Sequence, residues 1–202
     1  GWKKIQSVAL GGKERQDSVS NGLAQLDERT EIVVIHDTVR PFVTDEMIGN
    51  SIKAAMEYGG AVIGVPAKDT IKVCDAEGIA VQTPDRNTLW TALWQIQTPQ
   101  TFQKNIIVPA YQNAAKTGFV GTDDASVAEF AGHRVKVMMG SYRNIKITTP
   151  EDLCIAQAFL QEAQAQAPKE AQTNQEAPKA TQTKPETKPH QDTQTEKAVI
   201  IY

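Results

Sequence analysis

Two residues stand where an α/β protein does its chemistry. In VVIHDTVRPF, Asp37 closes a continuous apolar run, with Arg40 and Pro41 directly behind it. In NIKITTPEDL, residues 144–153, Lys146 lies between Ile145 and Ile147 just ahead of Thr149 and Pro150. Alternation along a short strand turns the isoleucines to one face and the ammonium to the other. Thr149 is placed to cap a helix that Pro150 opens, with Glu151 and Asp152 in its first turn, where the macrodipole favours acids. Open α/β folds bind their ligands at such strand-to-helix junctions. A carboxylate at a strand end accepts from a sugar hydroxyl or helps hold a metal, and Arg40 pairs with it or with a phosphate. His36 reads as a packed polar residue, because no nucleophile stands beside it.

Further polar stretches accompany these two. In LGGKERQDSVSNGL, Gly11 and Gly12 allow close backbone approach to a ligand, and Asp17 and Ser18 fall where a helix begins. The segments KDT, DRN and QTPQTF bring Thr70, Arg86 and Thr98 into one polar region, where Arg86 can fork onto a phosphate. In GTDDAS, Thr122 is placed at a helix N-terminus beside Asp123 and Asp124. The sequence carries no Cys/His metal spacing, Ser-His-Asp arrangement or Walker-type loop. This inventory suits phosphate handling by positioning rather than by a covalent intermediate.

The elements that must position these residues alternate between strand and helix. EIVVIHD (31–37) and GAVIGVP (60–66) are apolar runs of the kind that fill central strands. Between them TDEMIGNSIKAAMEYGG predicts a helix capped by Thr44 and stopped at Gly59, with Met47, Ile48, Ser51, Ile52, Ala55 and Met56 on one stripe. That makes a βαβ unit. QKNIIVPAYQNAAKTG predicts a helix interrupted near Pro109, TDDASVAEFAG a short one closed by Gly132, and HRVKVMMG a strand. SVALGG is strand-like, and its place almost at Gly1 suggests a truncated start. Residues 68–102 break the alternation and predict a projecting hairpin arm with its turn at Glu77-Gly78.

Bulk properties set limits. The chain has 202 residues, 40% hydrophobic and 22% charged, enough for one globular domain with a sizeable core. A net charge of −3 gives no global attraction to nucleic acid or anionic membrane. Cys74 and Cys154 fit two free thiols in a reducing compartment. No apolar run approaches the roughly 20 residues of a membrane helix. After Gln161 the chain turns to Gln, Ala, Lys, Pro, Thr and Glu, which predicts a disordered tail ending in a frayed AVIIY.

Taken in order, GGKERQDSV, VVIHDTVRPFV, VPAKDTIK, TPDRNTLW, QTPQTF, GTDDAS and GSYRNIKITTPEDL resemble the 2-C-methyl-D-erythritol 4-phosphate cytidylyltransferases of the non-mevalonate isoprenoid pathway, from about Val8 to Leu160. The resemblance implies a Rossmann-like nucleotidyltransferase fold: α/β, with a mixed, mostly parallel sheet, helices on both faces and a projecting β-arm. The domain would span residues 1–163 and the tail 164–202. The implied reaction joins CTP and the methylerythritol phosphate, releasing pyrophosphate, with Mg2+ bound through the CTP phosphates. The implied protein is a cytoplasmic homodimer joined through the arm, with neither nucleic acid nor membrane as partner.

Carried over by motif, Gly11, Gly12 and Ser18 would lie near the CTP, and Asp37, followed by Arg40, near the sugar hydroxyls. Arg86 and Lys146 would hold the substrate phosphate for in-line attack on the α-phosphorus, and Thr70, Thr98 and Thr122 would complete its pocket. Some features depart from the pattern. The family's Gly-rich triphosphate loop should precede Gly1, Thr38 replaces a small residue, and LWTALWQIQTPQ carries about three extra residues that can shift the arm's register. A ribitol-5-phosphate cytidylyltransferase and a non-catalytic dimerising remnant are the alternative readings.

Overall fold

The apolar run Ile32–Ile35 is buried at every position, as expected of a strand covered on both faces. In the computed structural model of the chain, which describes residues 5, 7–84, 93–166 and 198–201, it forms β1. In chain order the elements are α1 (Arg15–Leu23), β1 (Ile32–Ile35), α2 (Asp45–Tyr58), β2 (Gly60–Pro66), β3 (Val73–Cys74) and β4 (Ala80–Gln82). They continue as β5 (Trp94–Gln103), α3 (Lys104–Thr117), α4 (Asp124–Phe130), β6 (Lys136–Met139), α5 (Pro150–Gln166) and β7 (Ala198–Ile201). Gly1–Lys146 with Lys197–Tyr202 make one unit and Ile147–Glu196 a second.

Five strands form a sheet in the order β6-β2-β5-β1-β7. β5 runs antiparallel to both its neighbours, and the outer pairs β2–β6 and β1–β7 are parallel. The sheet is therefore mixed, with β5 the one reversed strand of the five. The predicted β1-α2-β2 unit exists, but its strands do not touch, because β5 is wedged between them.

Helices cover both faces. Val33, Ile35, Val62 and Phe102 of the sheet pack with Val19 and Leu23 of α1, Ile107, Ala110 and Tyr111 of α3, and Val127 of α4. On the other face α2 lays Ala54 and Ala55 against Ala61, and Ser51 Oγ meets Thr101 Oγ1 at 2.8 Å in the buried seam. The Thr44 cap forms as expected, Met47 N donating to its hydroxyl at 3.2 Å. Gly59 ends α2 at φ 87, a conformation that glycine adopts without steric cost. The buried stripe is narrower than the spacing implies: Met56 is exposed and Ala54 takes a place in it, because small residues let the helix approach the sheet.

Several expectations change. α3 continues through Pro109 without a break; Pro109 and Asn105, whose carbonyl loses its helical donor, are both exposed, so the lost bond falls on the solvent side of the helix. SVALGG is not a strand, and Val8 and Leu10 are 87% exposed. Residues 144–148 are irregular rather than extended into the sheet, though Thr149 does accept from Asp152 N at 3.4 Å at the start of α5. The hairpin β3–β4 forms with its turn at Gly78, but the arm ends sooner than residue 102, since QTPQTF belongs to central strand β5. The AVIIY end is not simply frayed: Ala198–Ile201 pairs in parallel with β1, matching an apolar segment to an apolar edge. Of the tail expected from residue 164, residues 164–166 continue α5, and residues 167–197 lie outside the described residues. No helix among the described residues is long and apolar enough to cross a membrane, and both cysteines are exposed free thiols.

Candidate active site

The site grows from the carboxyl end of β1. Asp37 follows the buried His36, and its carboxylate is met from three directions. Arg15 Nε from α1 lies 3.1 Å from Oδ1, Lys146 Nζ lies 3.1 Å from Oδ2, and Arg40 Nε lies 3.7 Å from Oδ2. Burial alone would raise the Asp37 pKa; the hydrogen bond from Lys146 and then the charge of Arg15 outweigh it and hold the carboxylate below its ordinary value. Asp37 is thus an anion at neutral pH, surrounded by cations.

Strand β5 fixes this group from beneath. The Asp37 N–H donates to Thr98 Oγ1 at 3.0 Å, and that hydroxyl meets His36 Nδ1 at 3.0 Å. His36 Nε2 faces the Arg40 carbonyl at 3.1 Å, so Nε2 carries the proton and Nδ1 accepts from Thr98. Burial lowers the imidazole pKa, leaving His36 a neutral structural link, as its packed position implied. Asn144, fully buried, donates to the Thr98 carbonyl at 3.0 Å and accepts from Arg40 Nη1 on its own carbonyl at 2.8 Å. The NIK motif therefore anchors itself to β5 through its asparagine and delivers its lysine two residues later.

Arg15 extends the cluster into the interior. Its Nη1 and Nη2 donate to Asp124 at 3.0 and 2.8 Å, a bidentate pair with a carboxylate that is fully buried. Tyr111 also donates to Asp124. Burial first, then the Asp124 charge, pushes the Tyr111 pKa upward, so the phenol keeps its proton. Gln100 of β5 grips the same helix start, accepting from Ala125 N at 2.9 Å and donating to Asp123 Oδ2 at 2.9 Å.

A pocket of about 190 Å3 opens over this cluster, between Arg15, Ser18 and Val19 of α1, the segment Ile35–Val39 and Lys146. Of the residues singled out from sequence, Ser18, Asp37 and Lys146 line it, with Arg40 anchored beneath. Ser18 Oγ accepts from Gly12 N at 3.0 Å. Gly12 has a steric reason of its own, since a Cβ there would fall 2.0 Å from Asp17 Cβ. Gly11 is exposed on the same loop. Thr98 is buried beneath Asp37, and its hydroxyl is engaged by its own chain. Thr70 is exposed on the approach to the hairpin, and Thr122 is exposed ahead of α4. The cap of α4 is Asp123, not Thr122: Asp123 lies in extended backbone three residues ahead of Ser126, and its Oδ1 accepts from Ser126 N at 2.8 Å. Arg86 lies outside the described residues, as does the Leu89-Trp90 part of the proposed insertion.

Sequence reasoning missed Arg15, Asp124 as its partner, Tyr111 and Asn144. Arg15 lies inside a quoted motif, but its pairing spans 109 positions.

A carboxylate ringed by cations at a strand end suits the binding of a nucleoside phosphate, and the fold around it is that of an α/β nucleotidyltransferase. The chain resembles the 4-diphosphocytidyl-2C-methyl-D-erythritol synthase of Anaerococcus prevotii in crystal structure, with a TM-score of 0.68 and 38% identity, covering 75% of this chain and 66% of that one. Residues 1–162 match the 2-C-methyl-D-erythritol 4-phosphate cytidylyltransferase family. Proteins of that name from Caldanaerobacter subterraneus subsp. tengcongensis and Clostridioides difficile are each 52% identical over 159 residues, 79% of this chain and 68% and 65% of theirs. The chain belongs to the 2-C-methyl-D-erythritol 4-phosphate cytidylyltransferase family, and spans about two thirds of the length of these relatives.

Proposed function

We propose that this protein transfers the cytidylyl group of CTP to 2-C-methyl-D-erythritol 4-phosphate, in the cytoplasm, forming 4-diphosphocytidyl-2-C-methyl-D-erythritol and pyrophosphate. The observation that carries the reading is Lys146: its side chain is 42% exposed at the pocket and balanced 3.1 Å from Asp37. An ammonium so placed can leave Asp37 for an incoming phosphate at little cost in desolvation. A phosphate oxygen of the sugar phosphate attacks the α-phosphorus of CTP, the bond to the β-phosphate breaks, and pyrophosphate departs. Lys146, with Arg86, holds the attacking phosphate and offsets the charge that gathers on the pentacoordinate phosphorus. Asp37 accepts from a sugar hydroxyl, Ser18 and the Gly11-Gly12 backbone approach the nucleotide, and Arg40 keeps the local potential positive.

Magnesium fits this site as a passenger of CTP rather than as a guest of a protein cage. Asp37 stands among Arg15, Lys146 and Arg40, cations that repel a second cation, and no group of three or more His, Cys, Asp or Glu side chains placed to hold a metal occurs among the described residues. When bound, the ion would neutralise the triphosphate and ease departure of pyrophosphate. A homodimer through the hairpin is supported by its exposed apolar side chains, Val73 at 44%, Ile79 at 63% and Val81 at 63%.

The test is pyrophosphate release with CTP, Mg2+ and methylerythritol phosphate, run beside ribitol 5-phosphate. Release with the former alone is expected, and Lys146→Ala should lower it by about two to three orders of magnitude. Release with ribitol 5-phosphate instead would reassign the substrate, and release with neither would favour a binding role.

A further inference from the structure

We infer that Arg15 is a positioning residue, locked by buried Asp124 and Tyr111, that keeps Asp37 aimed and ionised while Lys146 leaves it for a substrate phosphate. The destination of Lys146 rests on the cytidylyl-transfer reading; the fixing of Arg15 rests on geometry alone.

The three cations around Asp37 differ in how they are tethered. Lys146 is a single ammonium on a flexible stem, 42% exposed, and its departure strands no buried charge. Arg40 is 12% exposed and commits Nη1 to the Asn144 carbonyl. Arg15 divides its planar fork: both terminal nitrogens bind Asp124, and Nε alone turns to Asp37. Asp124 has no exposed side-chain surface. Pulling Arg15 away would strand the buried Asp124 side chain without its cation, a severe penalty. Asp124 cannot follow Arg15 outward, because Tyr111 donates to it and Gln100 holds the first turn of α4 against β5. Arg15 therefore stays in place when an anion enters the pocket, and Lys146 is the partner free to move.

Among the described residues, the charged and titratable groups facing Asp37 are Arg15 from α1, His36 and Arg40 from the end of β1, and Lys146 from the segment after β6, while β5 contributes the Thr98 hydroxyl. With Lys146 gone and His36 neutral, the charges left to hold Asp37 ionised are Arg15 and the longer contact to Arg40.

The decisive measurement is the titration of the Asp37 carboxylate carbon by 13C NMR on the full chain, its signal assigned with Asp37→Asn. Lys146→Ala imitates the departure of the lysine. Adding Arg15→Lys keeps a cation against Asp124 but removes the fork that spans both carboxylates. The midpoint in the double variant should lie about one pH unit or more above that of Lys146→Ala alone. If lysine at position 15 unfolds the chain, Arg15→Gln with Asp124→Asn removes the pair together and is judged by the same criterion. Equal midpoints in single and multiple variants would overturn the inference. The measurement needs no turnover, so a failure of pyrophosphate release would count against the assigned reaction and leave this result intact.

Discussion

Strands β1 and β5 lie side by side in antiparallel register, Val34 opposite Thr101 and Ile35 opposite Gln100, and residues 97–102 of β5 are as fully buried as β1, yet the two are built from opposite materials. β1 is all Ile and Val and offers its neighbours shape and apolar area. β5 reads WQIQTPQTFQ, and its buried polar side chains, with the half-buried Gln103, each hold a different part of the molecule. Gln97 donates to the Ser141 carbonyl, Thr98 holds Asp37 and His36, Gln100 grips α4, Thr101 meets Ser51 of α2, and Gln103 donates to the last turn of α2. A buried polar group is tolerated when it is satisfied, and here each satisfaction also fixes a loop or helix end. One strand supplies cohesion and the other supplies placement.

Substitutions can break that division. Thr98→Val keeps the volume and removes the hydroxyl that accepts from the Asp37 N–H and meets His36 Nδ1. Its kcat/KM for pyrophosphate release should fall by about a hundredfold, the scale of a small misplacement of reacting groups, with the kcat loss dominant. Val33→Ala in β1, at a fully buried position, should instead lower unfolding free energy by about 1.5–3 kcal/mol in urea titrations. Its kinetic constants at 25 °C should remain near those of the parent chain. Equal effects of the two changes on kinetics would remove the distinction between the strands.

The smallest effect concerns acid stability. Asp37 is held below its ordinary value in the folded chain, so its contribution to stability is complete above the unfolded carboxylate value of about 4 and is lost as pH falls through the folded value. Lys146→Ala weakens that depression. The decline of the urea midpoint below about pH 5 should therefore be shallower in the variant than in the parent. An identical decline would mean that Asp37 gains nothing from the lysine.

The same contrast explains what could be read from sequence. Apolar β1 and β2 announce themselves, and Asp37 follows from its place at the end of such a run. Lys146 was legible from its junction with a helix, and the structure brings it to Asp37 at 3.1 Å although 109 positions separate them. β5 was illegible as a central strand, because glutamines and threonines read as solvent-facing until their partners elsewhere in the chain are known. Arg15 and Asp124 were hidden for the same reason: an arginine in a polar loop and an aspartate in a capping motif each have a sufficient local explanation. Pro109 misled in the other direction, since the rule that proline breaks helices is relaxed where the freed carbonyl faces water.

The wedging of β5 between β1 and β2 also governs when the site can come into being. β1, α2 and β2 are consecutive in the chain, but the gap between the two strands closes only when a segment some thirty residues further on is inserted. Arg15, Asp37, Thr98, Asp124 and Lys146 meet around that inserted strand, so their meeting depends on contacts of large sequence separation, which form slowly. Amide hydrogens of β5 should then exchange with solvent only through global unfolding, and recovery of the site during refolding should coincide with their protection.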